Sequence, residues 1–502
     1  MSEIQKVQQV QKILINGEWT TPKQSLRRDI FNPATGALLA TTHDCGKEDV
    51  DLAVGAARAA HKDWWKTPAI EKCQMMHEVA RRLRKNERAI STLMTQETGK
   101  PLIESVDCID WVAACFDYYA EIGRASRGQS LPPVAPHQVN FTIKEPFGVV
   151  AAIVPFNFPL LLMSWKVAPA LMAGNTMVCK APHQNPLSSF LMAECYSHLP
   201  AGVINVISGG AQTGEYLIEH PEVDLIAFTG STETGRKIAA SAGANLKKLN
   251  MELGGIDPFI VCEDVELDVA VKGVAWARLL NAGQVCTSSK RIYVVEKIYD
   301  SFVRELKAYV SSVKVGDPMD TSTDMGPMIS YEALVKVTKQ VSALKLEGAR
   351  LEMGGEKLNS ASFAKGHFFA PTIFSEVKHG GVATTEEIFG PVIAVIRARD
   401  VAHAIEMAND SKFGLGAIIF TKNLEYAMSA MENIKAGTFW INDPLTDNDA
   451  GPFGGMRSSG MGRELGEEGL DAFREPKHVH LEYKLQAKNF WFPYKDRPLP
   501  NH

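Results

Sequence analysis

The sequence predicts an α/β protein made of two blocks of alternating strands and helices, each organised around a parallel sheet. Three observations carry this. Short β-branched runs alternate with longer runs of helical periodicity from about residue 148 to residue 441, the pattern of βαβ units. The 502 residues exceed what one hydrophobic core organises, so two or more domains are expected. The composition, 45% hydrophobic and 22% charged, is that of a globular protein, without an internal repeat or low-complexity linker.

Helices are expected first over residues 48–62 and 70–93, the former from Ala and Val at helical spacing. Strands follow at 148–154, 176–180, 203–206, 225–228 and 258–261, with a helix at 187–199. The second block, from about residue 270 to 441, places strands at 291–295, 392–397, 416–420 and 437–441 and helices at 301–311 and 423–433. The tail from residue 473 to 502, rich in aromatic, Pro and Lys residues, reads as an arm. Residues 146–165 carry no charge and are long enough to cross a membrane. Pro155, Asn157 and Pro159 interrupt that stretch, so it reads as a buried strand, a turn and a helix start.

The net charge of -5 and the lack of a basic run argue against a nucleic-acid partner. The N-terminal text MSEIQKVQQVQK has no apolar stretch of the kind a signal peptide needs. Eight scattered cysteines show neither a C-x-x-C pair nor metal-ligand spacing, so no metal is expected, and reduced thiols in a cytoplasmic protein are the natural reading. A buried, inert side chain is the default for each.

Four segments carry chemistry. Residues 225–238 read as a buried strand, a Gly/Ser/Thr turn at Gly230 and Ser231, and a helix containing Gly235, which would aim N–H groups at a pyrophosphate. Taken alone, an ordinary tight turn is the commoner explanation. Cys286 sits in the small polar loop Asn281-Ala282-Gly283-Gln284-Val285-Cys286-Thr287, where exposure and nearby donors suit a nucleophile. Glu252, between Met251 and Leu253 and before paired glycines, is a candidate general base raised by desolvation, although a helix-end Glu facing solvent is commoner. Asn157, held between Phe156 and Phe158 and flanked by Pro155 and Pro159, offers an amide to an oxyanion, or to a local turn.

Together the segments resemble the aldehyde dehydrogenase superfamily over nearly the whole chain. Phe-Asn-Phe-Pro at 156–159, Phe-Thr-Gly-Ser at 228–231, Met-Glu-Leu-Gly-Gly at 251–255, Gly-Gln-Val-Cys at 283–286, Glu-Ile-Phe-Gly-Pro at 387–391 and Pro-Phe-Gly-Gly at 452–455 occur in the family's order. The resemblance implies Cys286 as nucleophile, Glu252 as base and Asn157 as oxyanion donor with the Cys286 N–H. It implies NAD, or NADP, held by Lys180 at the adenosine ribose, Gly230, Ser231 and Gly235 at the pyrophosphate, Glu387 at the nicotinamide ribose, and Phe389 and Phe156 by the nicotinamide. Lys166 matches a lysine near the active-site floor. The implied fold has a Rossmann-like coenzyme domain (residues 1–127 and 147–254), an α/β catalytic domain (255–458) and a strand arm (128–146 and 474–490) that builds a homodimer or homotetramer. Strands at 142–144 and 478–482 are expected in the arm.

The sequence departs from the family at three places. His183 stands where many members carry a glutamate that excludes NADP, and a protonated imidazole would attract a 2′-phosphate. Gly254-Gly255-Ile256-Asp257-Pro258 stands where the common text is Gly-Gly-Lys-Ser/Asn-Pro. Phe156 replaces Trp. The implied substrate funnel is lined by Phe158, Leu162, Trp165, Val285, Thr287 and Phe453. Phe158, Trp165 and Phe453 suggest an aromatic box for a cationic aldehyde of the betaine aldehyde kind, and Asp443, Asp447 and Asp449 add carboxylates near the mouth. A tunnel for aliphatic or aromatic aldehydes is the alternative. CoA-acylating and non-catalytic relatives are the rival functions, and the presence of Glu252, Cys286 and Asn157 argues against both.

Overall fold

Five parallel strands, Val149–Ile153, Thr176–Ala181, Ile204–Ser208, Leu225–Thr229 and Lys248–Glu252, make the centre of an eight-stranded sheet in the computed structural model. The model describes residues 12–23, 25–125 and 128–494. The polar N-terminal segment of residues 1–11 lies outside the described residues. The first four of these strands are buried at every position, which is why they read as continuous apolar runs rather than alternating ones. Across the sheet their order is fifth, fourth, first, second, third. The chain therefore changes its direction of travel between Val149–Ile153 and Leu225–Thr229, and a crevice opens there at the carboxyl ends.

The second sheet has seven strands in the order Arg350–Met353, Thr372–Ser375, Val392–Ala398, Ser289–Val295, Asp257–Val261, Gly416–Phe420 and Thr438–Ile441. Only the edge pair Arg350–Met353 with Thr372–Ser375 is antiparallel. Each sheet has its own apolar core. The chain then returns: Gly460 pairs with Glu252, and Phe453, Leu465, Leu470 and Phe473 join the first core. The segment between the sheets thus carries residues from both cores past the crevice.

Helices Lys47–Lys66, Ala69–Thr98 and Leu102–Ala125 flank the first sheet. The helix expected over 187–199 is shorter: Leu187–Ala193 is α-helical and Glu194–Tyr196 tightens into a 3-10 turn. Pro200 forbids continuation of the helix, and the tighter turn leaves Cys195 and Tyr196 buried. The uncharged stretch forms Val149–Ile153, a turn and helix Pro159–Ala173 with Pro in its first turn. No helix among the described residues is long and apolar enough to cross a membrane. Arg474–Glu482 pairs antiparallel with Gln138–Pro146 from Arg474 opposite Pro146 to Glu482 opposite Gln138, and Ser130–Leu131 completes a separate three-stranded sheet.

Candidate active site

Helix Leu267–Leu279 runs into three successive left-handed residues, Asn281 (φ 50°), Ala282 (φ 54°) and Gly283 (φ 72°). For the two that carry a Cβ this conformation costs roughly 1–2 kcal/mol each, so the surroundings must hold it. Glu104 accepts the Asn281 N–H at 3.1 Å, and Asn281 Nδ2 donates to the Asn157 carbonyl at 3.1 Å. Gln284 Nε2 donates to the Asn281 carbonyl at 3.0 Å, and Arg278 Nη1 to the Gly283 carbonyl at 3.1 Å. A Cβ on Gly283 would meet the Gly390 carbonyl at 2.3 Å, so only glycine fits. The loop presents Cys286, which alone among the eight cysteines is partly exposed. Burial pushes its thiol up to about 12, while the Lys290 ammonium pulls the other way. The resting group is a neutral thiol.

Asn157 follows strand Val149–Ile153 into the crevice. Its side-chain amide makes no hydrogen bond among the described residues, although the residue is 4% exposed. Glu252 ends strand Lys248–Glu252, two strands across the sheet, and is buried. Its carboxyl oxygens have no side-chain hydrogen-bond partner among the described residues. Burial first, then the neighbouring Glu464 charge, hold it well above the usual carboxylate range, opposed by Lys166 and Arg463. Lys166 is fully buried, donates to Thr229 Oγ1 at 2.6 Å and to the Leu162 carbonyl at 3.3 Å, and pairs with the Glu464 carboxylate. The site thus holds two buried carboxyls and one buried ammonium.

On the crevice side, Ser231 caps helix Thr232–Ala244 and accepts the Thr234 N–H. This helix N-terminus stands immediately after the buried strand Leu225–Thr229. A Cβ on Gly230 would come within 2.4 Å of the Phe228 ring, and one on Gly235 within 2.5 Å of Leu253. Lys180 stands one residue before the end of strand Thr176–Ala181, with its Nζ donating to the Gly209 carbonyl at 2.7 Å. Glu387 accepts only a long bond from the Gly255 N–H, at 3.4 Å, and lies 3.4 Å from Lys290, leaving acceptor capacity for ribose hydroxyls. Phe389 meets Phe156 edge to face at 6.0 Å. This donor set at the switch of strand order fits a nicotinamide dinucleotide. One expectation is corrected: burial, then Lys180 and Arg28, push His183 down to about 4, so it is neutral near pH 7 and attracts no phosphate by charge.

On the other side of Cys286 lies a cavity of about 650 Å³ lined by all six expected funnel residues, Phe158, Leu162, Trp165, Val285, Thr287 and Phe453. The aromatic box, however, is closed. Trp165 and Phe453 pack on each other with centroids 4.9 Å apart, too close to admit a cation between them. One face of Phe158 is taken by the Lys100 Nζ at 3.3 Å. Carboxylates stand further out: Glu104 and Asp107 line the cavity, and Asp447 lines both it and an outer hollow shared with Trp111, Trp440, Asp443 and Asp449. Burial, then Asp449, push Asp447 up to about 7.

Sequence reading missed Glu464, Glu104 and Lys290. Glu464 and Glu104 reach the site only through folding, across 298 residues to Lys166 and 177 residues to Asn281, and no local pattern marks them. Lys290 did leave a signal: it is the second residue of strand Ser289–Val295, in which every position is buried. A cation there needs a partner. Among the described residues, no group of three or more His, Cys, Asp or Glu side chains is arranged to hold a metal ion.

The family model described as Aldehyde dehydrogenase family matches residues 19–479. Retinaldehyde dehydrogenase 3 of Rattus norvegicus is 38% identical over 95% of this chain and 94% of its own. The mitochondrial benzaldehyde dehydrogenase of Antirrhinum majus is 39% identical over 95% of this chain and 90% of its own. The crystal structure of betaine aldehyde dehydrogenase from Staphylococcus aureus in complex with NAD+ matches with a TM-score of 0.95 at 34% identity, covering 98% of this chain and 99% of that one. With the family model matching most of its length and its fold that of those proteins, the chain belongs to the aldehyde dehydrogenase family and is an NAD(P)-dependent oxidoreductase.

Proposed function

We propose that the protein oxidises an amino or otherwise cationic aldehyde to its carboxylic acid, with Cys286 as nucleophile, Asn157 as oxyanion donor and Glu252 as base. The Cys286 thiol loses its proton to solvent water, the thiolate sulfur bonds to the aldehyde carbon, and the oxyanion so formed lies against the Asn157 amide and the Cys286 N–H. One such donor contributes about 2.7–4 kcal/mol. The oxidised nicotinamide, when bound, accepts hydride from that carbon. The carbonyl then re-forms as a thioester on Cys286. Glu252 takes a proton from water, which adds to the thioester, and the thiolate departs to leave the acid. Lys166 opposes the rise that burial imposes on both Glu464 and Glu252, which favours Glu252 as acceptor of that proton.

The observation that supports the cationic substrate is the position of Asp447, which lines both the 650 Å³ cavity and the outer hollow together with Trp111. Relatives named for retinaldehyde, benzaldehyde and betaine aldehyde stand at comparable identity, so the choice rests on the cavity. Its closed aromatic pair favours an ammonium carried several atoms from the aldehyde over a compact quaternary one. The second reading, a hydrophobic aldehyde, is favoured by Leu161, Leu162, Ala275, Leu279 and Val285 in the same wall. Coenzyme reduction across a panel of betaine aldehyde, an aminoaldehyde, a long aliphatic and an aromatic aldehyde, each with NAD and NADP, decides it. The highest kcat/KM should fall to the aminoaldehyde, and a preference for the aliphatic or aromatic aldehyde would refute the cationic reading. We further infer a cytoplasmic homodimer or homotetramer, from cysteines that form no disulfide among the described residues and from Val139, Ile143 and Leu481 exposed on the arm sheet.

A further inference from the structure

Behind Cys286 lies a lysine that the steps above do not use. Lys290 is 2% exposed. Its Nζ donates to the carbonyls of Val285 at 2.9 Å, Cys286 at 2.6 Å and Ser288 at 3.4 Å. An ammonium has three protons to donate, and here all of them serve the backbone on either side of the nucleophile. The same Nζ is 3.4 Å from Glu387 and 6.0 Å from the Phe389 ring centroid. Two carboxylates face it, Glu387 from the segment before strand Val392–Ala398 and Asp257 from the start of strand Asp257–Val261; the Arg278 guanidinium faces it from helix Leu267–Leu279. Asp257 lies in the segment that departs from the family text, and here it is a buried carboxyl raised to about 7 by burial and drawn down by Lys290.

This arrangement has two consequences. A buried ammonium cannot lie idle, and in a low-dielectric site its charge acts strongly on a thiol four residues away in the same loop. Its field is also shared. Glu387 draws part of it away from Cys286, and adds negative charge that disfavours the thiolate. A ribose hydroxyl that donates to Glu387 weakens that competition. We propose that Lys290 is a positioning residue that locks the Cys286 loop through three carbonyls and divides its charge between the nucleophile and Glu387, so that engagement of Glu387 by the coenzyme ribose makes Cys286 more reactive. The proposal rests on the reading of Cys286 as nucleophile and Glu387 as ribose ligand.

The test is the second-order rate of iodoacetamide alkylation of the full-length enzyme between pH 6 and 10, with and without NAD. The alkylated peptide is identified by mass, since the other seven cysteines are buried. Wild type should react faster with NAD at fixed pH. Lys290→Met should react roughly tenfold more slowly at pH 7 without NAD, the effect of about one unit of thiol pKa, and should lose the NAD response. Lys290→Arg should recover most of the rate. Glu387→Gln, which leaves Lys290 in place, should raise the NAD-free rate and abolish the response, and so tests the inference even if Lys290→Met fails to fold. An unchanged pH profile in Lys290→Met overturns the proposal, as does an NAD response that survives in both Lys290→Met and Glu387→Gln. Alkylation at another cysteine would instead overturn the nucleophile assignment itself.

Discussion

Replacing Lys166 by Met should destabilise the protein and move its activity toward alkaline pH. The pair it forms with Glu464 is 0% and 1% exposed at the two side chains, and Glu464 Oε2 has no hydrogen-bond partner among the described residues. Removing one member of such a pair costs about 3–5 kcal/mol, because the other charge stays buried without compensation. With about 2.1 cal/mol/K of unfolding entropy per residue, a chain of 502 residues gains roughly 1 kcal/mol/K, so Tm should fall by about 3–5 °C if the chain unfolds as one unit. Glu464 can escape by taking a proton. Its folded carboxyl is already raised by burial, so the native state binds more protons than the unfolded one. Stability contributed by that site therefore falls as pH rises above the unfolded carboxylate range. The loss in Lys166→Met should be smaller at pH 5 than at pH 8. In the double variant Lys166→Met/Glu464→Gln no charge is left stranded, and stability should recover to within about 1–2 kcal/mol of wild type. Glu252, deprived of a cation that lowers it, should ionise only at higher pH, shifting the acid limb of the kcat profile upward. Differential scanning calorimetry at both pH values and a pH–rate profile measure all of this. Additive losses in the double variant, or a Tm loss independent of pH, would refute the argument.

Three further outcomes follow from the site. Glu252→Gln should still form coenzyme product in a rapid burst of about one equivalent per active subunit but lose steady-state turnover by roughly 10²–10⁴-fold, the contribution of a general base; stopped-flow absorbance separates the two phases. Asp447→Asn should raise KM for an aminoaldehyde by about fivefold to tenfold, about 1–1.4 kcal/mol, and leave a neutral aldehyde unaffected. In wild type the KM for the aminoaldehyde should fall as pH rises through about 7, where Asp447 ionises, provided the substrate amine remains protonated. His183→Glu should weaken NADP binding about tenfold or more and leave NAD within about twofold, measured by calorimetric titration.

The fold was legible where periodicity is strong. The buried strands Val149–Ile153, Leu225–Thr229 and Gly416–Phe420 announce themselves as short apolar runs between turn residues, because both sheet faces are covered and no alternation survives. Boundaries were less legible: helix Ala69–Thr98 runs five residues past its expected end, since its stop is the left-handed Gly99 rather than a change in hydrophobicity. At the site, the loop around Cys286 was visible because small polar residues and glycine cluster there. The aromatic box was misread for a physical reason. Composition gives three rings, but whether two of them stack on each other, as Trp165 and Phe453 do, depends on where the returning chain after Ile441 places Phe453. The charge pattern was invisible for the same reason, since Lys166 meets Glu464 only through tertiary packing.

In the proposed mechanism, one cause raises both reactive groups of the resting site. Burial raises the Cys286 thiol and the Glu252 carboxyl together, so neither the thiolate nor the base is fully formed before ligands enter. A neutral thiol is a poor target for oxidation, and a neutral carboxyl does not hydrolyse what it cannot deprotonate water to attack. Each raised group has its own lysine held nearby: Lys290 behind Cys286 and Lys166 behind Glu252. Those two cations are tied to different partners, Glu387 on the coenzyme side and Glu464 on the floor. Changing one ion pair therefore adjusts the nucleophile without equally adjusting the base. In the proposed mechanism both steps gain from deprotonation, of the thiol for thioester formation and of the carboxyl for its hydrolysis, and separate lysines allow the two groups to be tuned apart. A single cation serving both groups would shift them together.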